Sequence, residues 1–116
     1  MSIQRNHTNE RMSQVVVHGD TVYVAGQIAS GAPGSTVTEQ TQDILTRIDG
    51  YLAETGTNKS NLLSATIWIT DMASFAEMNS VWDSWVSPNN APCRACVEAK
   101  LASDKFDVEI MVIAAK

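Results

Sequence analysis

Val15-Val16-Val17-His18-Gly19-Asp20-Thr21-Val22-Tyr23-Val24-Ala25 is the stretch that decides the fold. Two runs of β-branched and aromatic residues flank His18–Thr21, a polar punctuation containing glycine, and this pattern predicts a β-hairpin. Within each run the apolar residues are consecutive, not alternate. A strand with one wet face alternates apolar and polar positions, so these runs predict a sheet covered on both faces. Ile110–Ala115, near the end of the chain, has the same character.

Working outward, residues 1–12 are polar and read as an extended lead-in. Residues 28–36 contain Gly31, Pro33 and Gly34 and read as a surface loop. From Val37 the period changes: Thr41, Ile44, Leu45, Ile48 and Leu52 form one stripe at helical spacing, and Gly56 is placed to stop that helix. Ala65–Thr70 is a further strand. Asp71 or Ser74 is placed to cap a second helix with the stripe Phe75, Met78, Trp82, Trp85 and Val86, ended by Pro88. Two strands follow, over 94–100 and 106–115.

The order ββ, α, β, α, ββ predicts an α+β or mixed α/β layer, a sheet of five or six strands with two helices on one face. Two helices cover only one face. The continuous apolar runs therefore predict that the other face meets another subunit, because an exposed apolar sheet would aggregate.

At 116 residues the chain is expected to form one domain, 1–116. A net charge of −5 and a pI near 4.8 remove the attraction that drives general nucleic-acid binding. The N-terminus lacks a basic segment followed by an apolar run, and no apolar stretch is long enough to span a bilayer, so a cytoplasmic protein without membrane contact is expected.

Cys93-Arg94-Ala95-Cys96 has the form of a redox or zinc motif. On a strand, however, residues three apart point to opposite faces, so these thiols could neither bridge nor share a metal. A zinc site also needs about four ligands, and His7 and His18 are distant in the sequence. No metal site is expected, and Cys93 reads as a buried, reduced thiol.

Arg94 and Glu109 are more informative. With a four-residue turn at Leu101–Asp104, the last two strands would form a hairpin in which Cys96 opposes Glu109 and Arg94 lies diagonally beside it. Cys93, Ala95, Val97 and Ala99 would then face the helices. Arg94, Cys96 and Glu109 would share the other face with Met111 and Ile113. A guanidinium and a carboxylate there are costly to desolvate unless paired, hydrogen-bonded or kept in a wet cleft. On pattern alone, an intersubunit ion pair and an anion-binding cleft are equal readings. An arginine fork suits a small carboxylate, and a neighbouring glutamate can move a proton or orient water.

The remaining features are local. Gly31–Ser35 lacks the lysine of a phosphate loop and reads as a flexible loop. The Phe75/Trp82/Trp85 stripe reads as core, Gly26 as a bend or close backbone approach, and Gln27 as a partner for local backbone groups.

Val22-Tyr23-Val24-Ala25-Gly26-Gln27-Ile28, Glu39-Gln40-Thr41, Thr70-Asp71-Met72 with Phe75 and Asn79, Arg94-Ala95-Cys96-Val97-Glu98 and Val108-Glu109-Ile110 together resemble the Rid family. These are the reactive-intermediate (imine) deaminases, or YjgF-type proteins. The resemblance covers about residues 13–115, and Trp82-Asp83-Ser84-Trp85-Val86 resembles the YoaB-like branch.

The resemblance implies a homotrimer of chorismate-mutase-like subunits, with helices outside, sheets at the centre and ligand clefts between subunits. It implies cofactor-free hydrolysis of 2-imino acids to 2-oxo acids and ammonia. In that scheme Arg94 binds the substrate carboxylate, Glu109 assists water attack, and Ala25, Gly26, Asn79 and Cys96 line the cleft. Met12 and Ala25 stand where the family usually has a tyrosine and a serine, which removes two hydroxyls. Two other readings are a non-catalytic sensor of a small 2-oxo acid and an RNA-cleaving protein. The acidic balance argues against the second.

Overall fold

The computed structural model describes residues 1–116. The chain runs β1 (Ile3–Thr8), β2 (Ser13–His18), β3 (Thr21–Ile28), α1 (Val37–Glu54), β4 (Leu62–Ile69), α2 (Phe75–Trp85), β5 (Cys93–Glu98) and β6 (Val108–Ala115). Short 3-10 turns occupy Lys59–Asn61 and Met72–Ser74. The strands form one mixed six-stranded sheet in the order β1-β2-β3-β6-β4-β5, the α+β layer expected.

The two crossovers explain the layering. β3 and β4 both run antiparallel to β6, and β5 runs parallel to β4, so α1 and α2 each connect parallel strands. Both crossovers step in the same direction along the sheet. Connections of one hand that step the same way put their helices on the same face. The other face has no helical cover.

α1 forms where the period of the sequence predicts it. Thr36 caps it by accepting a hydrogen bond from Glu39 N at 3.1 Å. Ile44, Leu45, Ile48 and Leu52 are buried, each burial contributing about 1.5–3 kcal/mol. The end is a Schellman turn: Gly56 has φ +81, its N–H bonds Ala53 O, and Thr57 N–H bonds Leu52 O. Asp71 caps the 3-10 turn before α2 through Ala73 N, whereas Ser74, at the start of α2, makes no side-chain cap bond. Buried Gln40 ties α1 to the start of β6: it donates to Ser35 O and the Asp107 carboxylate and accepts from Asp107 N.

Three expectations are corrected. The lead-in contains a strand, β1, paired antiparallel with β2. All its residues but the half-buried Asn6 are exposed, so no apolar alternation marks it. His7 anchors it to α1, its Nε2 lying 2.9 and 3.0 Å from the two Glu54 carboxylate oxygens.

The last two strands do not form a hairpin, because β4 lies between them. Arg94 pairs with Ala65 and Cys96 with Ile67, and both β4 partners are buried beneath the helices. Cys93, Ala95 and Val97 consequently point to the uncovered face, the reverse of the expectation. Cys93 is exposed rather than buried, its thiol donating to Leu63 O. The two cysteines are free and on opposite faces, as strand geometry requires.

The two-sided apolar character of the central strands is plain. Val15, Val22, Val24, Ile110 and Val112 are buried against the helices. Their neighbours Val16, Trp68, Met111 and Ile113 are half-buried on the open face, where Tyr23 and Val97 are 43% and 47% exposed.

Candidate functional site

The proposed site residues fall into two groups on opposite faces of the sheet. The first surrounds Arg94, which projects from edge strand β5 beneath α2. Phe75, Asn79 and Trp82 lie at i, i+4 and i+7 of that helix, one face of it, and all three meet the guanidinium. Arg94 Nη1 donates to Asn79 Oδ1 at 2.7 Å. The guanidinium carbon lies 5.8 Å from the Phe75 ring centroid and 5.5 Å from that of Trp82, within cation–π range.

Arg94 is half-buried, yet no carboxylate neutralises it. The ion pairs of the chain are His7–Glu54 and Arg47–Asp43, and the Asn79 contact is the only side-chain hydrogen bond that Arg94 donates. Its Nε and Nη2 donors are left available to an incoming anion. Cys96, two residues along the same face, packs against the core. Burial raises its thiol pKa, and Arg94 partly offsets this. Asn79 thus acts on Arg94 as an acceptor, a more specific role than cleft lining.

The second group surrounds Glu109 on the uncovered face. Glu109 lies in a row across the sheet between Ile28 of β3 and Trp68 of β4. Close by, the pairing of β3 with β6 slips between Val24 and Gln27, a bulge that holds Ala25 and Gly26. Gly26 leaves room there: a Cβ at that position would collide with Glu109 Oε2, so the missing side chain lets the carboxylate lie against the backbone. Gln27 steadies the bulge, donating to Ala25 O at 3.0 Å and Gln14 Oε1 at 2.8 Å. Burial among apolar neighbours raises the Glu109 pKa above its ordinary 4.5. A carboxyl so shifted is better suited to exchange protons near neutrality.

The structure therefore joins Ala25, Gly26 and Glu109 in one place and Asn79, Arg94 and Cys96 in another. It does not place Arg94 beside Glu109 within one chain, as the expected hairpin would have done. β4 separates their strands, a span of about 10 Å in the sheet, and the side chains leave by opposite faces. No concavity of the single chain contains both: the hollow of about 290 Å³ at Arg94 is lined by Ser64, Ala65, Thr66, Cys93, Arg94 and Ala95. Met12 is 40% exposed in the turn before β2.

Sequence reasoning assigned Phe75 and Trp82 to the core and missed their contact with Arg94. Trp82 is indeed buried, but Phe75 is 37% exposed. The i, i+4, i+7 spacing of Phe75, Asn79 and Trp82 was the available signal.

Comparison with known proteins places these features in context. The family profile described as Endoribonuclease L-PSP matches residues 2–116. A RutC family protein of Haemophilus ducreyi is 43% identical over 113 residues, covering 97% of this chain and 96% of that protein. The RutC family protein YoaB of Escherichia coli K12 is 41% identical over 115 residues, 99% of each. Among solved structures, a YjgF family member from Neisseria meningitidis superposes with a TM-score of 0.96 at 42% identity, covering 100% of this chain and 96% of that one.

Proposed function

The chain belongs to the Endoribonuclease L-PSP family, the Rid or YjgF proteins, with a YoaB-like sequence, and from that premise we propose that it hydrolyses reactive 2-imino acids to 2-oxo acids and ammonia. The reaction takes place in clefts between the subunits of a homotrimer and uses no cofactor. One observation carries this reading: a half-buried arginine without a counter-ion and a partly desolvated glutamate lie on opposite faces of one sheet and cannot meet within one chain. The apolar residues of the uncovered face, among them Tyr23, Trp68, Met111 and Ile113, support an assembly that buries that face.

In this mechanism Arg94 of one subunit binds the substrate carboxylate through its free Nε/Nη2 edge. That contact fixes the molecule and draws electron density from the conjugated C=N bond. Glu109 of the adjoining subunit takes a proton from water as the water oxygen bonds to C2. It passes that proton to the imine nitrogen, giving a carbinolamine, and then takes the hydroxyl proton as the C2=O bond forms and delivers it to the amino nitrogen, so that the C–N bond breaks and ammonia leaves. The raised pKa of Glu109 suits it to both transfers near neutral pH. Ala25 and Gly26 supply backbone at the carboxylate, and Cys96 lines the wall beside Arg94.

With a net charge of −5, the family's ribonuclease description has little electrostatic support in this chain. The deciding experiment generates a 2-imino acid with an amino-acid oxidase and follows oxo-acid release with wild type and Arg94→Ala. Release above the buffer rate by wild type, lost in Arg94→Ala, is expected. No gain over buffer by an assembled wild-type protein would eliminate the proposal for the substrates tried.

A further inference from the structure

Arg94 is supported in an uncommon way. Half-buried arginines usually meet a carboxylate, which neutralises the charge and occupies the fork. Here the partners are an amide oxygen on one nitrogen and two aromatic rings. A ring face stabilises a cation through its quadrupole without accepting its N–H groups in ordinary hydrogen bonds. The full positive charge and one donor edge therefore remain for a ligand.

We infer that Phe75 and Trp82 are positioning residues, which hold the Arg94 guanidinium in a fixed plane while leaving its charge and its Nε/Nη2 edge free for the substrate carboxylate. The inference rests on the imine-hydrolysis reading given above. Three features of the site support it. Phe75, Asn79 and Trp82 share one helix face, so α2 delivers all three contacts as a rigid unit. Thr38 N and Oγ1 both donate to Glu77 Oε2, at 2.8 and 2.9 Å, tying the first turn of α2 to the N-terminus of α1. Phe75 keeps 37% of its surface exposed, an unfavourable arrangement for a ring whose only role is to fill the core.

Such a seat acts before chemistry. A guanidinium free to rotate would lose its orientation on binding, and the ligand would bear that entropic loss. Removing a ring should therefore weaken ground-state binding and leave the chemical step nearly unchanged, because a guanidinium already bound to the carboxylate still polarises the imine and Glu109 is untouched.

Phe75 carries the test because its partial exposure makes its replacement mild. In Phe75→Leu the KM for the imino acid and the dissociation constant for 2-oxobutanoate, used as the probe, should both rise about 3- to 10-fold. The kcat should stay within about 2-fold of wild type. Phe75→Tyr, which keeps the ring, should restore both constants, and Trp82→Phe should cost less than Trp82→Leu. Tyr51→Phe is the control, since Tyr51 lies on α1 with its ring against His7. A second measurement needs no turnover: in arginine-labelled protein, the Arg94 Nε–H resonance should lie upfield through ring currents and move downfield in Phe75→Leu.

If Arg94→Ala abolishes binding while Phe75→Leu and Trp82→Leu keep wild-type KM and dissociation constants, the aromatic seat is overturned and the hydrolase reading stands. If Arg94→Ala itself leaves hydrolysis and binding intact, both fall.

Discussion

Arg94 lies under a helix with Phe75, Asn79 and Trp82 against its guanidinium, whereas Glu109 lies on the bare face of the sheet beside the Gly26 bulge. The arginine is oriented by side chains delivered from another element. The glutamate is placed by backbone, through a strand irregularity and a missing Cβ. Rotamers of a long cation must be restrained from several sides, while a short carboxylate on a rigid strand needs only room. The difference teaches that Arg94 and Glu109 are organised separately within one chain, so in the proposed mechanism their cooperation depends on how copies assemble.

Variants can break this comparison or sharpen it. The largest effect is expected from Glu109→Gln, which keeps shape but removes proton transfer; steady-state assays should find kcat lower by about 10²–10⁴-fold. A fall of less than about 10-fold would deny Glu109 the proton-transfer role. Arg94→Lys keeps the charge and loses the fork. Its kcat/KM should fall by about 10- to 150-fold, the worth of a charge-assisted hydrogen bond. A lysine that restored full activity would mean that point charge alone suffices.

Gly26→Ala is smaller and more diagnostic. The added Cβ meets the flexible end of Glu109 and not backbone, so the carboxylate must swing away while the strand stays. A roughly 10-fold loss of kcat is expected, with thermal unfolding hardly altered. A large drop in melting temperature with proportionate loss of activity would instead make Gly26 a purely structural residue.

The smallest effect concerns pH. Burial raises the folded-state pKa of Glu109 above its ordinary 4.5, so its contribution to stability is fully present below that value. The contribution is lost as pH rises through the folded-state pKa, because ionisation is opposed only in the fold. Glu109→Gln should therefore flatten the fall in melting temperature above pH 4.5, by a few degrees at most for a partly exposed group. An identical pH profile in the two proteins would refute the desolvation of this carboxyl.

Much of this fold was legible in the sequence because its signals are local. The α1 stripe, the Gly56 stop and the β2–β3 hairpin follow from period and turn chemistry, and the continuous valines announced a sheet with two apolar faces. β1 was not legible: an edge strand with no buried side chain carries no apolar rhythm. The partner of β5 was also hidden, because insertion of β4 between β5 and β6 is a long-range choice that local patterning does not encode. That single choice reversed the faces of Cys93, Arg94 and Cys96. The sequence singled out Arg94, Glu109 and Gly26 as candidates but did not reveal that β4 separates the strands of Arg94 and Glu109.

The claim that the site joins two copies is tested most directly by mixing. Arg94→Ala and Glu109→Gln proteins, each inactive alone, are unfolded, combined in equal amounts and refolded, and mixed assembly is verified by native mass spectrometry. A cleft that takes Arg94 from one copy and Glu109 from the next predicts recovery of about one quarter of the wild-type rate, the statistical share of interfaces with both residues intact. Mixed assemblies that stay inactive would contradict it.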